Sequence, residues 1–253
     1  MDLDRLLRPN PFAGDTGQMS EPMRRAMDLP ERGPRLKAIV AAIADGRLLV
    51  PALAHEHPGR AEDGSVADHA SEPDPTGDAV AAASTLSVRI PGGRFATPVF
   101  SCVERLAACY PQARPIPVLG RNVAAQALLS NGTLALDPHD PSGRGAIAVA
   151  RGAVAAIAAG ETWRAPWEDL GILAEFERAL AQAGQRAKLA FRVTANGILR
   201  LIVEIPAGLD DRAAYSVVET VVQAAEGSAG LRTHLDIVEI VPVSANSQGP
   251  VAG

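Results

Sequence analysis

A strand that turns directly into a helix constrains this chain more than any other stretch. In residues 94–111, RFATPVFSCVERLAACYP, Phe95, Thr97, Val99 and Phe100 supply the aromatic and β-branched residues of a strand, and Ser101 opens a helix. Glu104 completes the S-x-x-E pattern of a capping box. In that motif the Ser101 hydroxyl accepts the Glu104 backbone N–H, and the Glu104 carboxylate accepts the Ser101 N–H. Pro111 stops the helix. Ser101 and Glu104 are therefore expected to form a structural cap.

The segments around this unit follow from their periodicities. Residues 1–33 are polar, charged and broken by Pro9, Pro11, Pro22 and Pro30. They read as a flexible lead-in with a turn of helix around 22–27. Residues 34–44 form a helix, with Leu36, Ile39, Val40 and Ile43 at helical spacing and Gly46 as a left-handed cap. A strand follows at 47–51. Strands at 84–90 and 94–100 flank Pro91-Gly92-Gly93, a hairpin signal. The two prolines of the 115–119 strand argue for an edge or an irregular start. Asn122 is expected to cap a helix to 129, with strands at 133–136 and 146–150 and a helix at 152–159 ended by Gly160. Trp163 and Trp167 are expected where two modules dock.

Beyond residue 168 the pattern is helix, hairpin, helix, strand, closing at 243 before a tail at 244–253. The hairpin register can be derived. In 187–194, Leu189, Phe191 and Val193 alternate with Lys188, Arg192 and Thr194. A two-residue Asn196-Gly197 turn would pair Val193 with Arg200 and mix the faces. A three-residue Ala195-Asn196-Gly197 loop, with Gly197 left-handed, pairs Val193 with Leu199, Phe191 with Leu201 and Leu189 with Val203, and sets Lys188 opposite Glu204. Its defect is Arg192 facing Arg200. The expected fold class is α/β (α+β): two small mixed-sheet modules over 34–160 and 168–243.

The net charge of −5 is concentrated in one place. Residues 55–80 hold seven acidic residues and one arginine, and the remainder is close to neutral. Almost without large apolar residues, this insertion is expected to be disordered. No basic footprint for nucleic acid is present. Cys102 and Cys109 lie two helical turns apart, about 10 Å, too far for a disulfide. No apolar run approaches the roughly 20 residues of a membrane span, and the first dozen residues lack a signal-peptide core. Cytoplasm is the expected location, with no membrane or nucleic-acid partner.

Few groupings suggest chemistry. No phosphate-binding glycine loop, dinucleotide fingerprint, nucleophile elbow or paired CxxC occurs, so no cofactor is expected. His55, Glu56, His57, Asp68 and His69 are metal-ligand types in a segment unable to hold them, so no metal site is expected. Asp137, His139, Asp140 and Arg144 share a loop after a strand end, where α/β sites tend to fall. A carboxylate beside a histidine suits a general base, and it equally suits a turn. Cys102 near a helix N-terminus has a dipole that favours thiolate, opposed by Glu104.

The order of motifs resembles the SseB family, named for enhanced serine sensitivity. The marks are Leu49-Val50-Pro51, then Pro98-Val99-Phe100-Ser101 with Leu106, then Asp137-Pro138. The resemblance spans about 35–160. The acidic insertion and the Arg/Ala-rich composition resemble an actinobacterial member with an extra C-terminal α+β module. It implies a cytoplasmic protein of regulatory type and carries no catalytic residues with it. The leading expectation is a non-enzymatic binding or regulatory protein acting on protein partners, with exposed edges that allow a homodimer. The alternatives are a hydrolase or transferase using the Asp137 to Arg144 loop, with His139, Asp140 and Arg144 as candidate catalytic residues, and a scaffold recruiting partners.

Overall fold

The computed structural model describes residues 12–53, 86–139, 145–235 and 237–245. The acidic insertion, its five metal-ligand types, Asp140 and Arg144 lie outside the described residues.

The helical turn expected around 22–27 is present, but residues 20–33 are packed on the core rather than forming a flexible lead-in. Helix α1 (Glu21–Met27) starts at Ser20, whose Oγ accepts the Met23 N–H at 3.4 Å. It buries Met23, Ala26 and Met27 against α2 (Arg32–Asp45). Three apolar residues at i, i+3 and i+4 make a stripe wide enough to dock, though the surrounding prolines and charges mask it in the sequence. Gly46 is extended (φ −114°, ψ −168°) rather than left-handed. It is glycine for space, since a Cβ there would stand 2.6 Å from the Ala42 carbonyl oxygen.

Strand β1 (Arg47–Ala52) pairs antiparallel with β4 (Arg114–Leu119), and Leu49 makes a bridge to Phe100 at the end of β3 (Phe95–Val99). Pro115 and Pro117 thus sit in β4, which among the described residues pairs with β1 alone and forms the edge. The second sheet runs β2 (Val88–Arg89), β3, β5 (Leu134–Leu136), β6 (Ile147–Val149), with β3 and β5 parallel. Between them come α3 (Val103–Cys109) and α4 (Gly120–Leu128), and α5 (Arg151–Ala159) follows β6, ended by left-handed Gly160 (φ 71°) as expected. Asn122 is not the cap of α4. The helix starts two residues earlier, because Gly120 lies against the end of α2 and donates its N–H to Gly46 O at 2.9 Å.

This second sheet has two unlike faces. Leu134, Leu136, Ile147, Val149 and Val99 face the core shared with α1, α2, α4 and α5. The alternate positions, Ala96, Ala135 and Ala148, form a flat floor of small residues on the other side. Ile198 and Ile237 of the C-terminal half close that floor.

The C-terminal half comprises a 3-10 turn (Pro166–Glu168), α6 (Leu170–Gln182), β7 (Lys188–Val193), β8 (Leu199–Ile205), α7 (Asp211–Gly227), α8 (Ala229–His234) and β9 (Val238–Ser244). The α+β class holds. Helix α8, capped by Ser228, replaces the first residues of the final strand, expected at 233–243. The hairpin adopts the bulged register, Val193 on Leu199 through Lys188 on Glu204, with Gly197 at φ 76°. Arg192 does face Arg200, and the defect is relieved by the next strand. Parallel pairing brings Glu239 beside Arg200, with Nε to Oε2 at 2.7 Å.

The hairpin tip also welds the two halves together. Asn196 O accepts the Ala148 N–H at 2.8 Å and Asn196 Nδ2 donates to Ala146 O at 3.1 Å, so the loop pairs with the free edge of β6. Trp163 and Trp167 meet edge to face at 5.6 Å beside it, and Trp167 touches both main core clusters. A methyl on Gly197 would stand 2.6 Å from the Ala148 carbonyl oxygen at a backbone angle that disfavours it. Gly197→Ala is expected to cost about 2–3 kcal/mol, read as a lower urea midpoint.

Candidate functional site

The strand-end loop singled out by the sequence contains a buried ionisable cluster. Asp137 is the single non-glycine residue with positive φ (51°) among the described residues, and it is 1% exposed. The turn after β5 aims its carboxylate inward, under the start of α3. Oδ1 accepts the Ser101 N–H at 2.9 Å. Oδ2 accepts the Ser101 hydroxyl at 2.7 Å and Arg105 Nη1 at 2.7 Å. Burial pushes the Asp137 carboxyl above its ordinary range, against the pull of Ser101 and Arg105.

Ser101 is therefore not a helix cap. Its hydroxyl and its N–H are both taken by Asp137, and α3 begins one residue later, with Cys102 at the cap position and no side-chain cap bond. A buried carboxylate, costly to leave unsatisfied, outcompetes the exposed Glu104 for the Ser101 N–H. The Glu104 carboxylate instead takes its own backbone N–H and the Cys102 thiol, which hold its pKa down. Burial pushes the Cys102 thiol up, with the Glu104 charge adding to the shift, so the thiolate is disfavoured.

A second layer covers the cluster. Arg47 Nη1 donates to Ser101 O at 2.9 Å, while its other guanidinium nitrogens hold Asp15 (2.6 and 3.0 Å) and Gln18 O (2.5 Å). That contact with Arg47 keeps the Asp15 carboxyl below the usual range. Gly17 O accepts the Val103 N–H at 2.9 Å and supplies the helix-end bond that Ser101 does not make. Sequence reasoning missed Arg105, Arg47 and Asp15. The spacing of Ser101 and Arg105 by one helical turn was a signal for the first; nothing local marks the other two.

His139, two residues beyond Asp137, is exposed. The structure does not bring it into the cluster. Among the described residues no three His, Cys, Asp or Glu side chains gather in a metal-binding group. Ser101 is 2% exposed, so the cluster has donors and an acceptor but no room for a reacting molecule.

Open space lies instead along the seam. A groove of about 430 Å³ runs beside β9, floored by Val222 and Ala225 of α7 and by Val238 and Ile240. Arg94, from the β2–β3 hairpin, and Arg232, from α8, line it together with Glu226, whose backbone carbonyl accepts from the Arg232 guanidinium. A smaller apolar slot beside Trp163 and Trp167 measures about 20 Å³, room for about one water. Among the described residues, no helix is long and apolar enough to cross a membrane.

The family model of the SseB protein N-terminal domain matches residues 24–145. Its span takes in the Ser101–Asp137 cluster and Arg94, and ends before α5. No curated protein and no solved structure matches the chain.

Proposed function

Because the chain belongs to the SseB family through residues 24–145, we propose that it is a non-enzymatic binding or regulatory protein of the cytoplasm. Its partners are proteins, its modules are 34–160 and 168–243, and its working surface is the seam between them. One observation carries the reading. The ionisable groups at the strand end satisfy one another in the interior, Asp137 being 1% exposed, while an open groove of about 430 Å³ lies between the halves and is lined by side chains from both. A catalytic pair needs reach to a substrate atom, and neither Ser101 nor Asp137 has it. A seam surface presents apolar area with charged flanks, which suits recognition.

The competing reading, a hydrolase or transferase working through His139, Asp140 and Arg144, is tested directly. The double variant His139→Ala, Asp140→Ala is expected to behave as wild type in a strain whose phenotype depends on this protein. Loss of function in that variant, at unchanged protein level, would refute the binding reading.

A further inference from the structure

The dipeptide Asn-Gly occurs at 131–132 and at 196–197. An asparagine amide before glycine is chemically labile, because the glycine nitrogen, unobstructed by a Cβ, can reach the asparagine Cγ. The reaction needs only water and a chain free to bring the two atoms together.

At 196–197 the atoms of that reaction are also the atoms that join the two halves. Asn196 Nδ2, the leaving group, donates to Ala146 O at 3.1 Å. Asn196 O accepts the Ala148 N–H at 2.8 Å, and the attacking nitrogen of Gly197 keeps its proton on Thr194 O at 3.1 Å. While the hairpin tip lies on β6, nitrogen and amide are each committed to another partner. Asn196 is only half-buried there, at the rim of the seam.

We propose that Asn196 is a deamidation site gated by the seam, and that its conversion releases the hairpin tip from β6. When the tip lifts, the Gly197 nitrogen loses its proton to solvent base and attacks Asn196 Cγ. The Cγ–Nδ2 bond breaks, ammonia leaves and a cyclic imide forms. Water then opens the imide at either of its C–N bonds, giving aspartate or isoaspartate. The net change is amide and water to carboxylate and ammonium, with no change of oxidation state. Neither product restores the contact. A carboxylate at 196 has no N–H for Ala146 O and sets a charge against that carbonyl. Isoaspartate lengthens the main chain next to Gly197, where even a Cβ would stand 2.6 Å from Ala148 O. Release is therefore one-way.

The same dipeptide at 131–132 is a control within the chain. Asn131 Nδ2 donates to Ser87 Oγ and Thr97 Oγ1, each at 3.1 Å. Buried Gly132 donates its N–H to Ala127 O at 2.7 Å. All these partners belong to the N-terminal half, so opening of the seam leaves them in place.

The test ages the full chain in mildly alkaline buffer, folded and in concentrated urea, and maps deamidation by peptide mass spectrometry. In the folded chain Asn196 is expected to convert about tenfold or more faster than Asn131, because opening of the seam is more populated than opening of the N-terminal half. In urea the two sites are expected to convert at similar rates, both about tenfold or more faster than Asn196 in the folded chain. The converted fraction, separated by anion exchange, is expected to open at the seam first, its tryptophan fluorescence changing at lower urea than its circular dichroism. Asn131 keeping pace with Asn196 in the folded chain, or Asn196 converting as fast folded as unfolded, would overturn the proposal. So would an unconverted Asn196, or superimposable transitions in the converted fraction.

Discussion

Gly120→Ala is expected to destabilise the protein by about 3 kcal/mol or more, seen as a loss of several degrees or more in melting temperature. A Cβ on Gly120 would stand 1.8 Å from the Ile43 carbonyl oxygen and 2.8 Å from its carbon. Neither neighbour can give way alone. Ile43 is fully buried at the end of α2, and Gly120 is tied to the same helix end by its N–H bond to Gly46 O at 2.9 Å. The methyl can be admitted only by moving α4, with Val123, Ala124 and Ala127, away from the core they fill. Closely packed interiors resist that movement. A melting temperature within a degree of wild type would show that the contact between α2 and α4 is looser than described.

Asp137→Ala is expected to cost about 3–5 kcal/mol, the range for removing one partner of a buried ion pair. Three donors converge on the carboxylate: the Ser101 N–H, the Ser101 hydroxyl and Arg105. Removing the acceptor leaves the Ser101 N–H and hydroxyl without it beneath the layer formed by Arg47 and Asp15. It also places alanine at φ 51°, which asparagine and aspartate tolerate better. Asp137→Asn is the informative companion. It keeps the backbone angle and one acceptor, so its cost is expected to be smaller, about 1–2 kcal/mol. Wild type and Asp137→Asn also separate in pH dependence. Burial raises the folded-state pKa of Asp137, so its ionisation contribution to stability is full below the ordinary carboxylate pKa and falls as pH rises through the raised value. Asp15 has the opposite sign: its contribution is present above the ordinary pKa and is lost as pH falls through its lowered value. Asparagine at 137 removes the first dependence and leaves the second. A pH profile of urea midpoints for wild type and Asp137→Asn checks this.

The C-terminal hairpin could be derived from sequence to the residue because two constraints act within twenty positions. A period-2 pattern with one apolar face admits one register, and Gly197 marks where the bulge must fall. The capping box failed for the opposite reason. Ser101 and Glu104 satisfy a local rule, but the hydroxyl is claimed by a carboxylate 36 residues away, and no local pattern announces that. Helix α1 is expected from sequence as a turn at 22–27, but its docking was missed because only three residues, Met23, Ala26 and Met27, carry the docking face among prolines and arginines. The alanine floor was invisible too: Ala96, Ala135 and Ala148 read as neutral strand residues until a second surface rests on them. The groove is the least legible feature of all. It exists only where a hairpin tip from one half and two helices from the other come together, so Arg94 and Arg232 have no common signature in the chain.

Everything proposed for the groove depends on the two halves forming one cooperative unit. Both tryptophans of the chain, Trp163 and Trp167, lie at the seam, so tryptophan fluorescence reports the seam and far-UV circular dichroism reports the whole. Equilibrium urea unfolding followed by both signals is expected to give superimposable transitions with one midpoint. A fluorescence transition completed at lower urea, while the circular dichroism signal is retained, would contradict the account.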